Sequence, residues 1–161
     1  MLKLPDTIKW VITDFDGIIT DNFVYIDDNL KTTRRINFQD IIGLNNLYKN
    51  NINIAFISGE TNSIMDILSK KFNIKEVHGK IHNKIDKLKE IIQKYNLTEE
   101  EYLYAGDDIN DIECLKYAKY KITVPNAVSA VKDLDNIQIT EKRSGFGAFR
   151  EVSDCLIASK K

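Results

Sequence analysis

The chain has 161 residues, 23 Lys+Arg against 24 Asp+Glu, a formal net charge of −1 and two cysteines, Cys114 and Cys155. That length suits one domain with a proper core, and the balanced charge argues against a dedicated nucleic-acid or membrane-surface binder. Two cysteines make neither a disulfide framework nor a four-ligand zinc site, no apolar run approaches the ~20 residues of a membrane span, and the charged N-terminus is unlike a signal peptide, so a soluble protein of the reducing cytoplasm is expected.

In chain order, Trp10-Val11-Ile12-Thr13 is a short apolar run that stops at Asp14 and reads as a buried strand. Residues 22–37 read as a β-hairpin: Phe23-Val24-Tyr25-Ile26, a polar turn at Asp27-Asp28-Asn29, then a return from Leu30 to Phe38. A first helix follows. Ile52 to Ile57 is a second buried strand, ending at Ser58-Gly59. Ile64, Ile67, Leu68 and Phe72 share a helical face, with Thr61 or Asn62 as N-cap. After a short strand, Ile85, Leu88, Ile91, Ile92 and Tyr95 mark a helix opened by Lys84. Thr98 and Glu101 have capping-box spacing but read as a turn, because the strand Tyr102–Ala105 follows at once and ends at Gly106-Asp107. Ile109, Ile112 and Leu115 predict a helix, Tyr120 to Val124 a strand closed by Pro125, Ile137 to Ile139 a weaker strand, and Phe149, Val152 and Leu156 a final helix. With no repeat or linker, the expectation is one domain over residues 1–161, the hairpin forming a flap. Its class is α/β, a Rossmann-like parallel sheet with helices on both faces.

Ligands of such sheets bind beyond the carboxyl ends of the strands. Three strand ends here carry polar residues: Asp14-Phe15-Asp16-Gly17 with Thr20 and Asp21, Ser58-Gly59-Glu60-Thr61, and Gly106-Asp107-Asp108 with Asp111. Their types fit phosphoryl transfer. Of the Asp14/Asp16 pair, one carboxylate can attack phosphorus while the other handles protons. Asp14 and Asp107 offer hard oxygen ligands suited to Mg²⁺, which offsets the repulsion between carboxylate and phosphate. Ser58 and its turn can bind phosphoryl oxygens, and Lys84 adds fixed positive charge. Each fragment alone is weak, since Gly and Asp are ordinary turn residues; their ordered placement at strand ends and a helix start is the stronger signal.

Asp14-Phe15-Asp16-Gly17-Ile18-Ile19-Thr20-Asp21 resembles the first motif of the haloacid dehalogenase superfamily, Ile57-Ser58-Gly59 its second, Lys84 its third and Gly106-Asp107-Asp108-Ile109-Asn110-Asp111 its fourth. More narrowly, Phe38-Gln39-Asp40, the run Lys84 to Leu88 and Gly145-Phe146-Gly147-Ala148-Phe149-Arg150-Glu151 are similar to the capless branch that holds 3-deoxy-D-manno-octulosonate 8-phosphate phosphatases and phosphatases of nine-carbon, sialic-type sugar acid phosphates. Spacing agrees: 43 residues separate Asp14 from Ser58 and 25 separate Ser58 from Lys84, too few for a cap domain of ~50 residues or more.

The resemblance implies an Asp14 nucleophile that forms an aspartyl phosphate, Asp16 as acid and base, and Ser58 and Lys84 on the phosphoryl group. Asp14, Asp107 and the backbone carbonyl of Asp16 would hold Mg²⁺, with Asp108 and Asp111 orienting them. Ser58, Gly59, Glu60, Lys71, Lys84, Arg143 and Arg150 are the expected substrate contacts. Four positions depart from the branch pattern. Ser58 replaces a frequent Thr, Ile41 and Ser144 each replace a Gly, and Glu60 stands where octulosonate enzymes usually carry Arg, which together with Lys71 and Glu141-Lys142-Arg143 leans toward the nine-carbon branch. The resemblance also implies a homotetramer in which neighbouring hairpins pack together and cover each site; the hairpin's apolar residues agree with this. Two rivals are a non-catalytic oligomerisation module like those appended to sugar-nucleotide synthetases, and a receiver-like phosphorylation switch. The complete carboxylate set argues against the first, and the hairpin and Asp16-Gly17 against the second. His78 and His82 read as a loop pair without a third ligand, the cysteines as core thiols, and Lys70-Lys71, Arg34-Arg35 and Lys160-Lys161 as solvated pairs.

Overall fold

A computed structural model describes residues 2–161. Eight strands and six α-helices alternate along the chain: β1 (Trp10–Thr13), β2 (Tyr25–Ile26), β3 (Thr32–Thr33), α1 (Phe38–Lys49), β4 (Asn53–Ile57), α2 (Ser63–Lys71), β5 (Glu76–His78), α3 (Lys84–Tyr95), β6 (Tyr102–Ala105), α4 (Ile112–Tyr117), β7 (Tyr120–Thr123), α5 (Ser129–Lys132), β8 (Gln138–Ile139) and α6 (Ala148–Ser159). Six strands form one parallel sheet in the order β5-β4-β1-β6-β7-β8. β1 and β6 are buried at every position, with no polar alternation, as expected where helices cover both faces.

The expected strands of the parallel sheet are present to within a residue at their ends, whereas the hairpin arms expected over 23–26 and 30–38 pair only at Tyr25–Ile26 and Thr32–Thr33. β2 and β3 pair antiparallel as a separate ribbon, Tyr25 opposite Thr33, and the Asp27 carboxylate closes the turn by accepting from Asn29 and Lys31 N–H at 3.0 and 2.8 Å. Asn62 caps α2, its side chain accepting from Met65 N–H. Met65 joins Leu68 and Phe72 on the buried face of that helix, at spacings of three and four, and Ile67, a residue before Leu68, turns outward and is exposed. The helix expected from Ile109 is split. Residues 109–111 form a 3₁₀ turn held by a reciprocal Asp108–Asp111 capping box, which leaves Ile109 exposed. α5 had no periodic signal because it is a single turn. His78 lies on β5, not in a loop, bonded to Glu76 at 2.7 Å, and His82 is exposed, so the two do not converge.

α1 and α6 pack tightly. A Cβ on Gly43 would approach the Arg150 Cα to 3.0 Å, so a larger residue there would have to push the two helices slightly apart. The buried Asp40 of α1 accepts from Gly147 and Arg150 N–H at 3.0 and 3.1 Å, capping α6 from outside where Gly147, at φ +98°, cannot. The motif at residues 38–40 and the tail motif are thus two halves of one packing contact. Burial pushes the Asp40 carboxyl up against these stabilising donors.

Candidate active site

Parallel registry places the chemistry. Thr13 lies beside both Phe56 and Ala105, so Asp14, Ser58 and Asp107 leave three adjacent strands at the same edge. Backbone bonds fix these exits: Asp14 N–H to Ala105 O at 2.9 Å, Ser58 N–H to His78 O at 2.8 Å and Gly106 N–H to Ile122 O at 3.2 Å. Lys84 opens α3 and points back under this edge, its ammonium fully buried between Asp14 Oδ1 at 3.1 Å and Asp111 Oδ1 at 2.8 Å.

Asp111 is the hub. Its Oδ1 accepts from Lys84 and from the Tyr104 hydroxyl at 2.7 Å, and its Oδ2 accepts from Asp107 N–H at 3.1 Å and Asp108 N–H at 3.3 Å. Both oxygens are committed to protein donors, so it orients its neighbours rather than facing a ligand. Desolvation, then the Asp111 charge, holds the Asp14 carboxyl well above the usual range, with Lys84 opposing. Burial alone would lower the Lys84 ammonium; Asp111 and Asp14 outweigh it and raise it. The cluster thereby stores a fixed cation beside a carboxylate with one oxygen left over: Oδ1 of Asp14 takes Phe15 N–H at 2.6 Å and Lys84, while Oδ2 has no protein donor among the described residues.

Asp107 carries the cation signal. Its Oδ1 is buried without any hydrogen-bond partner, and ligand oxygens of Asp14, Asp107 and Asp111 lie within 4.8 Å of one another. Desolvation, then Asp111 and Asp108, pushes its carboxyl up to about 7. An orphaned anionic oxygen beside a second carboxylate fits a hard divalent cation such as Mg²⁺, with Asp14 and Asp107 as the side chains to hold it. Gly17 makes the approach possible: at φ +91° it would place any Cβ 2.1 Å from Asp107 Oδ2.

The pocket at this edge is small, about 140 Å³, and its wall includes Asp14, Asp16, Ser58, Glu60, Asp107 and Asn110. Gly59 and Asp108 also line it. Asp16 faces the pocket, but its carboxylate bonds Thr20 Oγ1 at 2.9 Å and Arg34 Nε at 3.0 Å, so for a cation it has its backbone carbonyl to offer. Lys71, Arg143 and Arg150 are not in this wall. Lys71 ends α2 beside Phe72, which lines a cleft with Trp10 and Asn53 at the opposite edge of the sheet. Arg143 is exposed in the turn before α6, and Arg150 pairs with Asp154 at 2.7 Å. Two clefts of about 700 and 780 Å³ are larger but lack the carboxylates; size does not mark the site here, chemistry does.

Sequence reasoning missed Arg34, Asn22 and Tyr104. Arg34 was expected to be solvated, yet its side chain is only 10% exposed against Asp16. Asn22 reaches Asp107 Oδ2 at 3.3 Å. A hydroxyl-bearing Tyr in the otherwise apolar, fully buried β6, just before an acidic turn, was the available signal for Tyr104; nothing local marked the other two. Arg35 is exposed, as expected of a solvated residue, although it pairs with the buried Asp21.

Known proteins resemble the chain over nearly its whole length. The 3-deoxy-D-manno-octulosonate 8-phosphate phosphatase of Haemophilus influenzae is 29% identical over 162 residues, covering 99% of this chain and 88% of that protein. The Moraxella catarrhalis enzyme of the same name, solved with magnesium, phosphate and 3-deoxy-D-manno-octulosonate (KDO), superposes with a TM-score of 0.90 at 27% identity, covering 96% of this chain and 88% of that one. A cobalt-bound structure of the Haemophilus influenzae phosphatase gives 0.88 at 27% identity, covering 96% and 90%. Residues 12–147 match the haloacid dehalogenase-like hydrolases, and with the parallel sheet and the carboxylate edge now described, the chain belongs to that family of enzymes.

Proposed function

We propose that the chain is a Mg²⁺-dependent phosphomonoesterase acting on a phosphorylated 3-deoxy-2-ulosonic acid. The observation that carries this is the buried Asp14–Lys84–Asp111 cluster beside the partnerless Asp107 oxygen, opening on a pocket sized for a phosphoryl group. An oxygen of the Asp14 carboxylate attacks phosphorus and the P–O bond to the sugar breaks as the Asp16 carboxyl gives its proton to the departing oxygen. A water then loses a proton to Asp16 and attacks the aspartyl phosphate; the bond between Asp14 and phosphorus breaks, phosphate leaves, Asp14 is again a carboxylate and Asp16 again carries its proton. Ser58 and Lys84 bind the phosphoryl oxygens. The bound cation supplies charge neutralisation between carboxylate and phosphate.

A pocket of about 140 Å³ is well below the roughly 300 Å³ and more of ordinary ligand pockets, so the sugar portion must sit outside it. The relatives named for KDO 8-phosphate support the ulosonic acid class, and Glu60 at the pocket mouth favours the nine-carbon acids within it. The flap leaves Phe23, Tyr25, Ile26 and Leu30 more than half exposed, and Phe38 beside it is 80% exposed. Such a patch supports a homotetramer in which a neighbour covers the sugar, and in which Lys71, Arg143 and Arg150 act from another subunit. Phosphate release from eight- and nine-carbon ulosonic acid phosphates, with Mg²⁺ and with EDTA, tests the reading. Chelator-sensitive turnover of one of them, well above that of simple sugar phosphates, is expected; equal turnover of all phosphates, or turnover indifferent to EDTA, overturns it.

A further inference from the structure

The flap is joined to the catalytic edge by more than its covalent stems. On the outgoing stem, Asn22 donates to Asp107. On the returning stem, Arg34 follows β3 immediately, and its Nε lies 3.0 Å from both Oδ1 and Oδ2 of Asp16. The side chains are 10% and 20% exposed, so this is a largely enclosed contact and not a surface ion pair. Thr20, paired with Ile36 across the flap base, donates to the same Asp16 Oδ1 at 2.9 Å. Arg35 is fixed in turn by Asp21 and by the face of Phe146, 5.3 Å from the ring centroid. Gly145, next to Phe146, packs so closely on Asp21 that a Cβ there would meet it at 2.6 Å. The returning stem is therefore tied to the catalytic edge at Arg34 and at the two residues that follow it.

Asp16 has a reason to need this. It leaves the strand two residues after Asp14, in a loop where the following Gly17 offers no side chain to pack against it. Among the described residues only Thr20 and Arg34 bond its carboxylate, and Thr20 reaches one oxygen while Arg34 spans both. The single Nε–H of Arg34 is shared between the two oxygens and sets the direction of the carboxylate, while Thr20 on Oδ1 sets its rotation, so the two donors together define its orientation.

We propose that Arg34 is a positioning residue: by holding both oxygens of Asp16, the returning stem of the flap sets the orientation from which that carboxyl serves the sugar oxygen. The proposal rests on the reading of Asp16 as leaving-group acid. Arg34 touches neither phosphate nor sugar in this role, and its removal affects substrates according to how much their leaving group needs a proton.

The test compares kcat/KM on 3-deoxy-D-manno-octulosonate 8-phosphate, whose alkoxide leaves poorly, with 4-nitrophenyl phosphate, whose phenolate leaves unaided. The variants are Arg34→Gln, Arg34→Lys and, in parallel, Asp16→Asn. A misplaced catalytic group costs about 10²-fold, so Arg34→Gln is expected to lose about 10–100-fold on the sugar phosphate and less than about 3-fold on the aryl phosphate. Arg34→Lys, which can still reach one oxygen, should fall between Arg34→Gln and the parent, and it keeps the test available if Arg34→Gln does not fold. Equal losses on both substrates, a change confined to KM, or a faster variant overturns the proposal. If Asp16→Asn shows the leaving-group dependence and the Arg34 variants do not, only the role of Arg34 fails. If Asp16→Asn also lacks it, the acid role of Asp16 fails and the proposal falls with it.

Discussion

The carboxylate edge and the flap differ in almost every physical respect, although only eight residues lie between Asp14 and Phe23. At the edge, Asp14, Lys84, Tyr104, Asp107 and Asp111 are buried and interlocked by charge-assisted bonds of 2.7–3.1 Å. The flap has two strands of two residues each and keeps its apolar side chains in the open. A two-stranded ribbon of that length is marginal in water by itself. The edge is thus pre-organised within one chain, whereas the flap is tied to it only by the few polar contacts of its stems. Fixed charge is placed where the sheet and core hold it; the flap has little internal structure of its own.

The sharpest way to break this comparison is at the nucleophile. Asp14→Asn is expected to lower turnover by on the order of 10⁴-fold while far-UV circular dichroism and the unfolding midpoint stay near the parent's, because a carboxamide cannot form the acyl phosphate. Substantial residual activity would exclude Asp14 as the attacking group.

Next in size is the hub. Asp111→Asn removes one of the two charges that balance buried Lys84 and is expected to cost about 3 kcal/mol in urea unfolding, with activity lost as well. A variant as stable as the parent would show that the edge is not held together by this pair.

Metal binding should register the proton on Asp107. Its carboxyl, pushed up to about 7 by burial and its acidic neighbours, is protonated below that pH and must ionise to ligate. Mg²⁺ affinity is expected to fall by up to about tenfold per pH unit below about 7 and to level off above it, as calorimetric titration at pH 6, 7 and 8 would read. A flat profile over this range would remove Asp107 from the cation's ligands.

The smallest effect on the chain itself is expected from the flap. Phe23→Asp combined with Tyr25→Asp should leave the circular dichroism spectrum unchanged, since both side chains are exposed. Light scattering should nevertheless fall from about four times the 18.5 kDa chain mass to that of one chain, with activity on the sugar phosphate. A parent that is already a fully active monomer would dissolve the contrast between the two regions.

How much of this was legible in the residues follows from how local each signal is. β1, β4 and β6 could be read because strands covered on both faces are apolar throughout, and the site because three such runs each end in a polar turn carrying Asp or Ser. Lys84 was readable as the start of a helix next to those ends. The partial misreadings have different causes: Ile67 fits a helical stripe by spacing, but Met65 takes the buried place beside Leu68, and the Asp108–Asp111 capping box turns the start of the helix expected from Ile109 into a 3₁₀ turn.

The sequence by itself determined the fold class, the order of the elements and which strand ends bear the carboxylates, because period, turn residues and spacing are properties of neighbours along the chain. Only the tertiary structure decided that Asp111 has no oxygen left for a ligand, that Asp107 has one without a partner, that Asp40 caps α6, and that Arg34 clasps Asp16. The Arg34–Asp16 and Gly147–Asp40 contacts join groups 18 and 107 positions apart in a space largely closed to water, where each polar atom must find a partner or go without; spacing along a chain carries no record of that encounter.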